Sequence, residues 1–469
     1  MAKKKKQRSK STKRPTQGPT RRPRPTWDAA RRFAPWLEPL LIGCVLFAIF
    51  YPRIQYTEFH GDESLWISAS HYFEAFTEGR LNSPVWAESY ETLTQPPVGR
   101  YVIGIGRRIG GYGIRDLNRP WNFNLSDEEN VARGHMPGRD LLWWSRFPMC
   151  ILAVMCALIA FSLVSRCAGR LAGYVMVALF VFNHFFSYTL SRALGEAPLL
   201  AATMLATLAG YQAVITWRLA TSDKRPVSRR FLRPLIWVGI MGLFCGVAAA
   251  TKLNGASIIL AGLALCLAMP LSQKQNTSRA QTLGVIAFAC ALLVMTAAFT
   301  FVVLNPYLYP DPIGHTKNMV EQRLSEMGRQ QAKMPSASVS GPLIGRVSLI
   351  GERVFQQCAT LSFAKSWIIN GILSLVGLSF LLFSAWSWLR GGVGSGGSVL
   401  LLLVAFSTSF PVLMTPLDWD RYYLFPVFFS TVFIAVGIVQ IIKSLSKWTR
   451  RLGHLRNERG WQRSDALNE

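Results

Sequence analysis

Polar, ionisable residues of this 469-residue chain gather in short segments between long apolar runs. One reads Tyr56-Thr-Glu-Phe-His60-Gly-Asp62-Glu63-Ser-Leu-Trp66, and Gln95-Pro96-Pro97-Val-Gly-Arg100-Tyr101 follows it. Further segments are Ser191-Arg192-Ala-Leu-Gly-Glu196-Ala-Pro198, Thr251-Lys252-Leu-Asn254, Asn305-Pro306-Tyr307 through Pro312, and Asp418-Trp419-Asp420-Arg421-Tyr422-Tyr423. A carboxylate can take the proton of an attacking hydroxyl, a contribution of roughly 10² to 10⁴ in rate. Lysine and arginine neutralise a departing phosphate. Asp62 is therefore the expected catalytic base, with Glu63 in support. Arg100, Arg192, Glu196, Lys252, Asn305, Asp418 and Arg421 are the expected substrate-binding residues, and Arg100, Lys252 and Arg421 among them the expected phosphate ligands. Each has a plainer reading beside it. Glu63 could be a helix N-terminal charge, Lys252 a lysine reaching the interface, and Arg421 a partner of Asp418 or Asp420. His60 or His315 could join a carboxylate on a divalent cation, although surface histidine is the commoner explanation. No metal site is assigned, and no cofactor beyond an open place for a divalent ion. No Gly-rich nucleotide loop follows a strand, which disfavours ATP or a soluble nucleotide sugar.

The elements that would position these residues are membrane helices. Half of the chain is hydrophobic and 16% is charged, against about 25% charged in soluble proteins. That excludes a disordered protein and argues against an ordinary soluble enzyme. Eight cysteines exclude a disulfide scaffold. Crossing ~30 Å of hydrocarbon takes about 20 apolar residues. Ten runs qualify: 36–51, 141–165, 171–190, 196–217, 234–250, 255–271, 282–304, 367–389, 398–415 and 422–442. The alternating strands of a barrel are not seen.

The net charge of +26 sits at the ends of these runs, so anionic membrane lipids, not nucleic acid, are its expected partners. Basic residues crowd 1–35, 218–233 and 443–469, which places these segments in the cytoplasm. The stretch 1–35 is expected to be a disordered basic tail and 443–469 a second basic tail. The outer loops are then 52–140 and 305–366, and every polar segment above falls at the outer face. Stretch 67–76 has an amphipathic pattern that suits a short interfacial helix, and 98–106, too short to span, is expected to form a second interfacial or re-entrant helix in the first outer loop.

Asp62-Glu63 just after the first span, followed by Gln95-Pro96-Pro97-Val-Gly-Arg100-Tyr101, resembles the first extracytoplasmic loop of GT-C membrane glycosyltransferases. Protein O-mannosyltransferases and lipid A aminoarabinose transferases are the nearest in pattern. Ser191-Arg192 to Pro198, Thr251-Lys252, Asn305-Pro306-Tyr307 and Arg421-Tyr422-Tyr423-Leu-Phe-Pro426 are similar to later segments of that group, in the same order, over 36–442. The resemblance implies an all-α, polytopic, GT-C-like bundle of about ten spans. It implies inverting transfer of a hexosyl or pentosyl group from a polyprenyl-phosphate sugar donor to a hydroxyl acceptor (protein Ser/Thr, lipid or glycan). The reaction would take place on the extracytoplasmic face of a plasma (inner) membrane. The chain departs from the group in two places: Gln95 stands where relatives often carry Lys, and Glu196 where they often carry Asp. The short basic 443–469 argues against an oligosaccharyltransferase-like member, and the Tyr-rich 305–312 leans towards the protein mannosyltransferases. The competing class is a transporter or flippase of a lipid-linked or anionic substrate. Such proteins often show related halves, and no internal repeat is evident here.

Overall fold

The computed structural model describes residues 25–222, 226–272, 278–339, 341–361, 367–392 and 394–465. These residues are mostly helical, without a strand; one antiparallel bridge joins Ser338 to Leu417. Nine helices are long and apolar enough to cross a membrane, and a bent pair makes a tenth. The ten expected runs each fall on one of them. The first helix, α1, runs Pro25–Tyr56. It starts inside the stretch expected to be a disordered tail, so 25–35 is helical, while 1–24 lies outside the described residues. At the other end the last helix, Leu424–Asp465, carries the expected second tail onward as helix to Asp465.

The helices divide by what they bury. Arg139–Ala168, Glu196–Thr221 and Asp420–Arg451 are mostly covered by their neighbours and form the centre. Leu37–Tyr56, Arg279–Val303 and Trp367–Leu389 leave most of their apolar surface outward, where lipid tails are the matching solvent.

One expected span, 171–190, is broken. Its halves, α2 (Arg170–Phe182) and α3 (His184–Leu190), bend by 66° at Asn183. Asn183 has extended backbone and its Oδ1 accepts the Phe185 N–H at 2.8 Å, capping the second half. Arg53 Nη1 donates to the freed Val181 carbonyl at 2.8 Å and to Ser187 Oγ, filling the gap from α1. The break delivers Ser191–Gly195 to the end of the bundle that carries the two large loops.

The first of those loops is itself helical. Helix α4, Gly61–Ser68, passes through a 3-10 turn into Tyr72–Thr77, and α5, Val98–Ile109, packs beside them. The expected short helices therefore exist, each longer than the sequence suggested. Two glycines permit the packing. A Cβ on Gly99 would lie 2.5 Å from the Trp66 ring and 3.3 Å from Gly195 Cα, and one on Gly195 would lie 2.9 Å from Lys252 Cε.

Candidate active site

Asp62 and Glu63 share the first turn of α4 but have different surroundings. His60 caps the turn: its Nδ1 accepts the Asp62 N–H at 3.1 Å, while its own N–H donates to Glu63 Oε2 at 3.2 Å. Glu63 is fully buried. Arg146 grips it with two forked bonds, Nε to Oε1 at 2.7 Å and Nη2 to Oε2 at 2.6 Å, and the Ala193 N–H adds a third donor at 2.8 Å. Arg146 Nη1 also donates to the Ile54 and Thr57 carbonyls at 3.0 and 2.7 Å. One buried ion pair thus joins the end of α1, the start of α4, the Arg139–Ala168 helix and the segment after the broken span. With both oxygens occupied, Glu63 has no free lone pair facing an open space.

Asp62 keeps an open side, with 17% of its side chain exposed. Arg421 Nη1 donates to its Oδ2, and His60 Nδ1 lies 3.7 Å away. Burial pushes the Asp62 carboxyl up; Arg421, His60 and Lys252 together outweigh it and hold the group below the usual carboxylate range. Burial pulls the His60 imidazole below its ordinary value, and Arg192 and Arg421 add to that. At neutral pH the pair is an ionised aspartate beside a neutral histidine.

Cations surround this carboxylate. Lys252 ends the Leu232–Thr251 helix and donates to Glu196 Oε1 at 2.5 Å. Glu196 is buried and its Oε2 accepts no hydrogen bond. Arg421 lies over the Trp419 ring at 4.7 Å. Arg323, on helix α6 (Pro312–Lys333), donates to the Tyr422 hydroxyl at 2.9 Å. Lys252 is within the fields of both Arg421 and Arg323, and Tyr90 within those of Arg323, Glu326, Asp62 and Arg421. Lys252, Arg323 and Arg421 thus gather near Asp62, with Glu196 on Lys252 and Glu326 on Arg329.

The other expected site residues go elsewhere. Arg100 is buried between Trp66 and Tyr72, with Nη1 donating to the Glu91 and Gln95 carbonyls at 3.0 and 3.4 Å. It fastens the Pro-Pro turn. Arg192 donates to the Glu58 carbonyl at 3.2 and 3.1 Å and stacks on Tyr188. Asn305 is a turn residue whose amide meets Met319 Sδ at 3.5 Å. Asp418 is held by Arg353 and Tyr423. His315 stacks on Tyr307 and bonds its carbonyl. Asp62 paired with Arg421 and Glu63 paired with Arg146 offer no shared face for a divalent ion, and no group of three metal-ligating side chains occurs among the described residues.

Sequence reasoning missed Arg146, Arg323 and Arg353. Arg146 carried a signal, a cation well inside a 30-residue apolar helix whose other arginines, Arg139 and Arg166, stand in its end turns. Arg323 carried none, because α6 is polar throughout and rich in charges such as the Lys317–Glu321 pair. Between 81–88 and 306–315 lies a cavity of about 420 Å³ lined by Trp86, Glu88, Tyr307 and His315.

Residues 63–309 match the family model described as dolichyl-phosphate-mannose-protein mannosyltransferase. The chain belongs to this family. The matched stretch holds Glu63, Arg146, Glu196 and Lys252; Asp62 stands one residue before it, and Arg323, Arg353 and Arg421 lie beyond. This mannosyltransferase-family chain is also similar to three solved structures. The archaeal oligosaccharyltransferase AglB from Archaeoglobus fulgidus, in complex with an inhibitory peptide and a dolichol-phosphate, aligns with TM-score 0.47 at 14% identity, over 90% of this chain and 52% of that one. ArnT from Cupriavidus metallidurans, bound to undecaprenyl phosphate, gives 0.45 at 13% identity, over 86% and 59%. The S. cerevisiae protein O-mannosyltransferase Pmt1-Pmt2 complex, bound to the sugar donor, gives 0.39 at 14% identity, over 60% and 34%. The chain therefore spans about half the length of the AglB chain it matches. No curated protein matches the chain by sequence.

Proposed function

We propose that this family member is an integral-membrane glycosyltransferase that moves a hexosyl or pentosyl group from a polyprenyl-phosphate donor to a hydroxyl acceptor, with inversion. The observation that carries the reading is the ionised, partly open Asp62 set among Lys252, Arg323 and Arg421 at one end of a bundle of spanning helices. A glycosyl phosphodiester carries one negative charge, for which Lys252, Arg323 and Arg421 are the cations at hand. The cations hold the phosphate and stabilise the charge it gains on leaving. The acceptor oxygen forms its bond to the anomeric carbon from the opposite face as the carbon–oxygen bond to phosphate breaks. The electron pair stays on the phosphate, and the acceptor proton passes to Asp62. Glu63 and Arg192 act as positioning residues. The family's description favours mannose as the sugar and a protein Ser/Thr hydroxyl as acceptor. The cavity lined by Trp86, Glu88 and Tyr307 is the place this reading gives the acceptor.

The site end is extracytoplasmic in this reading. Arg218, Arg229, Arg233, Lys447 and Arg450 lie at the opposite end, where they would face the cytoplasm and anionic lipids. A transporter is less well supported, because no internal repeat is evident in the sequence, and the span broken at Asn183 leads through its seven-residue second half into the Ser191–Gly195 segment of the site.

The test is transfer in proteoliposomes from a panel of polyprenyl-phosphate sugars to an added Ser/Thr peptide. Donor-dependent product from the native protein, abolished in Asp62→Asn, is expected. Lipid flipping without product would replace the transferase by the flippase.

A further inference from the structure

Two carboxylates, Asp418 and Asp420, stand beside Arg421 in the sequence, yet neither takes its guanidinium. Arg353 takes both. Its Nη2 and Nε donate to Asp418 Oδ2 at 2.5 and 3.2 Å, and its Nη1 to Asp420 Oδ1 at 3.0 Å. Tyr423 donates its hydroxyl to the other Asp418 oxygen at 2.7 Å. Arg421 is thereby left for Asp62. Arg353 opens a π-helical turn, Arg353–Gln357, in which Gln357 Oε1 accepts from the same Nη1. Such turns are rare and cluster at functional positions.

The backbone of the 413–418 turn has separate supports. Arg346 Nη1 donates to the Leu413 and Thr415 carbonyls at 3.0 and 3.1 Å, Val339 N–H to Pro416 at 2.8 Å, and Asp418 N–H to Ala337 at 2.8 Å. The turn is tied in place whatever residue 353 carries. What Arg353 adds is the choice of partner.

We propose that Arg353 is a positioning residue for Arg421: by occupying Asp418 and Asp420 it keeps the Arg421 guanidinium on Asp62. Without it, two adjacent carboxylates compete with Asp62 for one cation, and Arg421 leaves both Asp62 and the phosphate position. The catalytic consequence rests on the transferase reading above; the change of partner does not. All four residues beyond Asp62 lie outside the family-matched 63–309 stretch.

The experiment uses the full chain in detergent. A double-mutant cycle of Asp62→Asn with Arg421→Gln, read as unfolding midpoints, gives their coupling. It is run in the native, Arg353→Gln and Arg353→Gln/Asp418→Asn/Asp420→Asn backgrounds. Coupling should fall by more than half in the second and return in the third. A mere scaffold role predicts that neutralising the two aspartates makes matters worse. Arg353→Lys, whose single nitrogen cannot reproduce the separated guanidinium donors that reach Asp418 and Asp420, runs in parallel and serves if Arg353→Gln does not fold. Native coupling in the folded variants, or loss without recovery, overturns the proposal. With activity as readout, Arg353→Gln should raise donor KM about tenfold with a smaller change in kcat, reversed in the neutralised background. A native protein without transferase activity would overturn the function and leave the coupling cycle to decide the role of Arg353.

Discussion

Asp62 and Glu63 differ by one methylene and one position, yet their partners set them apart. Glu63 is locked by Arg146, 83 residues away. Asp62 keeps an open side and a depressed pKa. Asp62→Asn should lower turnover by roughly 10² to 10⁴ and leave donor binding largely intact. Steady-state kinetics beside a donor-binding titration check this. Glu63→Gln leaves the Arg146 cation buried without a counter-charge, which costs about 3–5 kcal/mol when such a pair is broken. It should show chiefly as a lowered unfolding midpoint, partly restored in Glu63→Leu/Arg146→Met. The pH profile follows from the sign of the Asp62 shift. A carboxyl held below its unfolded value stays ionised at neutral pH, so turnover should fall only on acidification, as pH drops through that low folded value, and Asp62→Asn should lose this acid limb. Lys252→Ala should weaken donor use by about 2–5 kcal/mol if it meets a desolvated phosphate; unchanged donor kinetics would remove Lys252 from the phosphate site. The acidic pair and Lys252 were legible because charge beside an apolar run is costly. Their pairings were not: Lys252 with Glu196, Glu63 with Arg146 and Asp62 with Arg421 stand 56, 83 and 359 residues apart and leave no local mark. Arg421 shows the limit most clearly: the sequence offers Asp418 and Asp420, and the fold supplies Arg353 for them.

At the scale of elements, the site depends on how closely α4, α5 and the Ser191–Gly195 segment approach. α1 and the last helix run on past the expected 36–51 and 422–442, but most spans were legible to within a few residues, because hydrocarbon thickness fixes their length. The break at Asn183 was not. Residues 171–190 are apolar enough to read as one helix, and the bend is held by the Asn183 cap and by Arg53 from α1. The Gly99–Gly195 contact was equally hidden, since nothing local distinguishes a glycine of close approach. Gly99→Ala places its Cβ 2.5 Å from the buried Trp66 ring, in a corner that also holds Gly195. Overpacking of this kind costs about 1–3 kcal/mol, and it should push α4 and Asp62 away from Lys252. Thermal unfolding and turnover should both fall. Gly284→Ala is the control: no heavy atom lies within 4 Å of its added Cβ, and it sits inside the Arg279–Val303 helix. That variant should be neutral or slightly stabilised. Equal behaviour of the two would mean that the corner is looser than its distances imply.

At the scale of the whole molecule, the two ends of the bundle must face different sides of the membrane. A polyprenyl-phosphate donor sits with its phosphate at the headgroups and its tail in hydrocarbon, so a site at a bundle end meets it from one leaflet only. Which leaflet depends on the distribution of the charge, not on its total of +26. Lys443, Lys447, Arg450 and Arg451 line the far end of the last helix, and Lys443 donates to the Ala168 carbonyl at the matching end of the Arg139–Ala168 helix. Both helices run from there to the site end, where Asp62, Glu196 and Asp418 pair with Arg421, Lys252 and Arg353. Basic residues close to span ends stay in the cytoplasm. The two ends should therefore differ in access: Thr77 in the first large loop outside, Ser446 inside. Both are exposed. Single cysteines at these positions, in a chain relieved of its eight native cysteines, can be challenged in intact cells with a membrane-impermeant maleimide. Thr77→Cys should label at once and Ser446→Cys only after permeabilisation. Because an even number of spans returns the chain to the side where it began, label at both positions would also refute the bent pair as a crossing: nine spans would put the start of α1 and the end of the last helix on opposite sides, and Thr77 and Ser446 on the same side. The reverse pattern would move the donor, the acceptor and Asp62 together to the cytoplasmic leaflet.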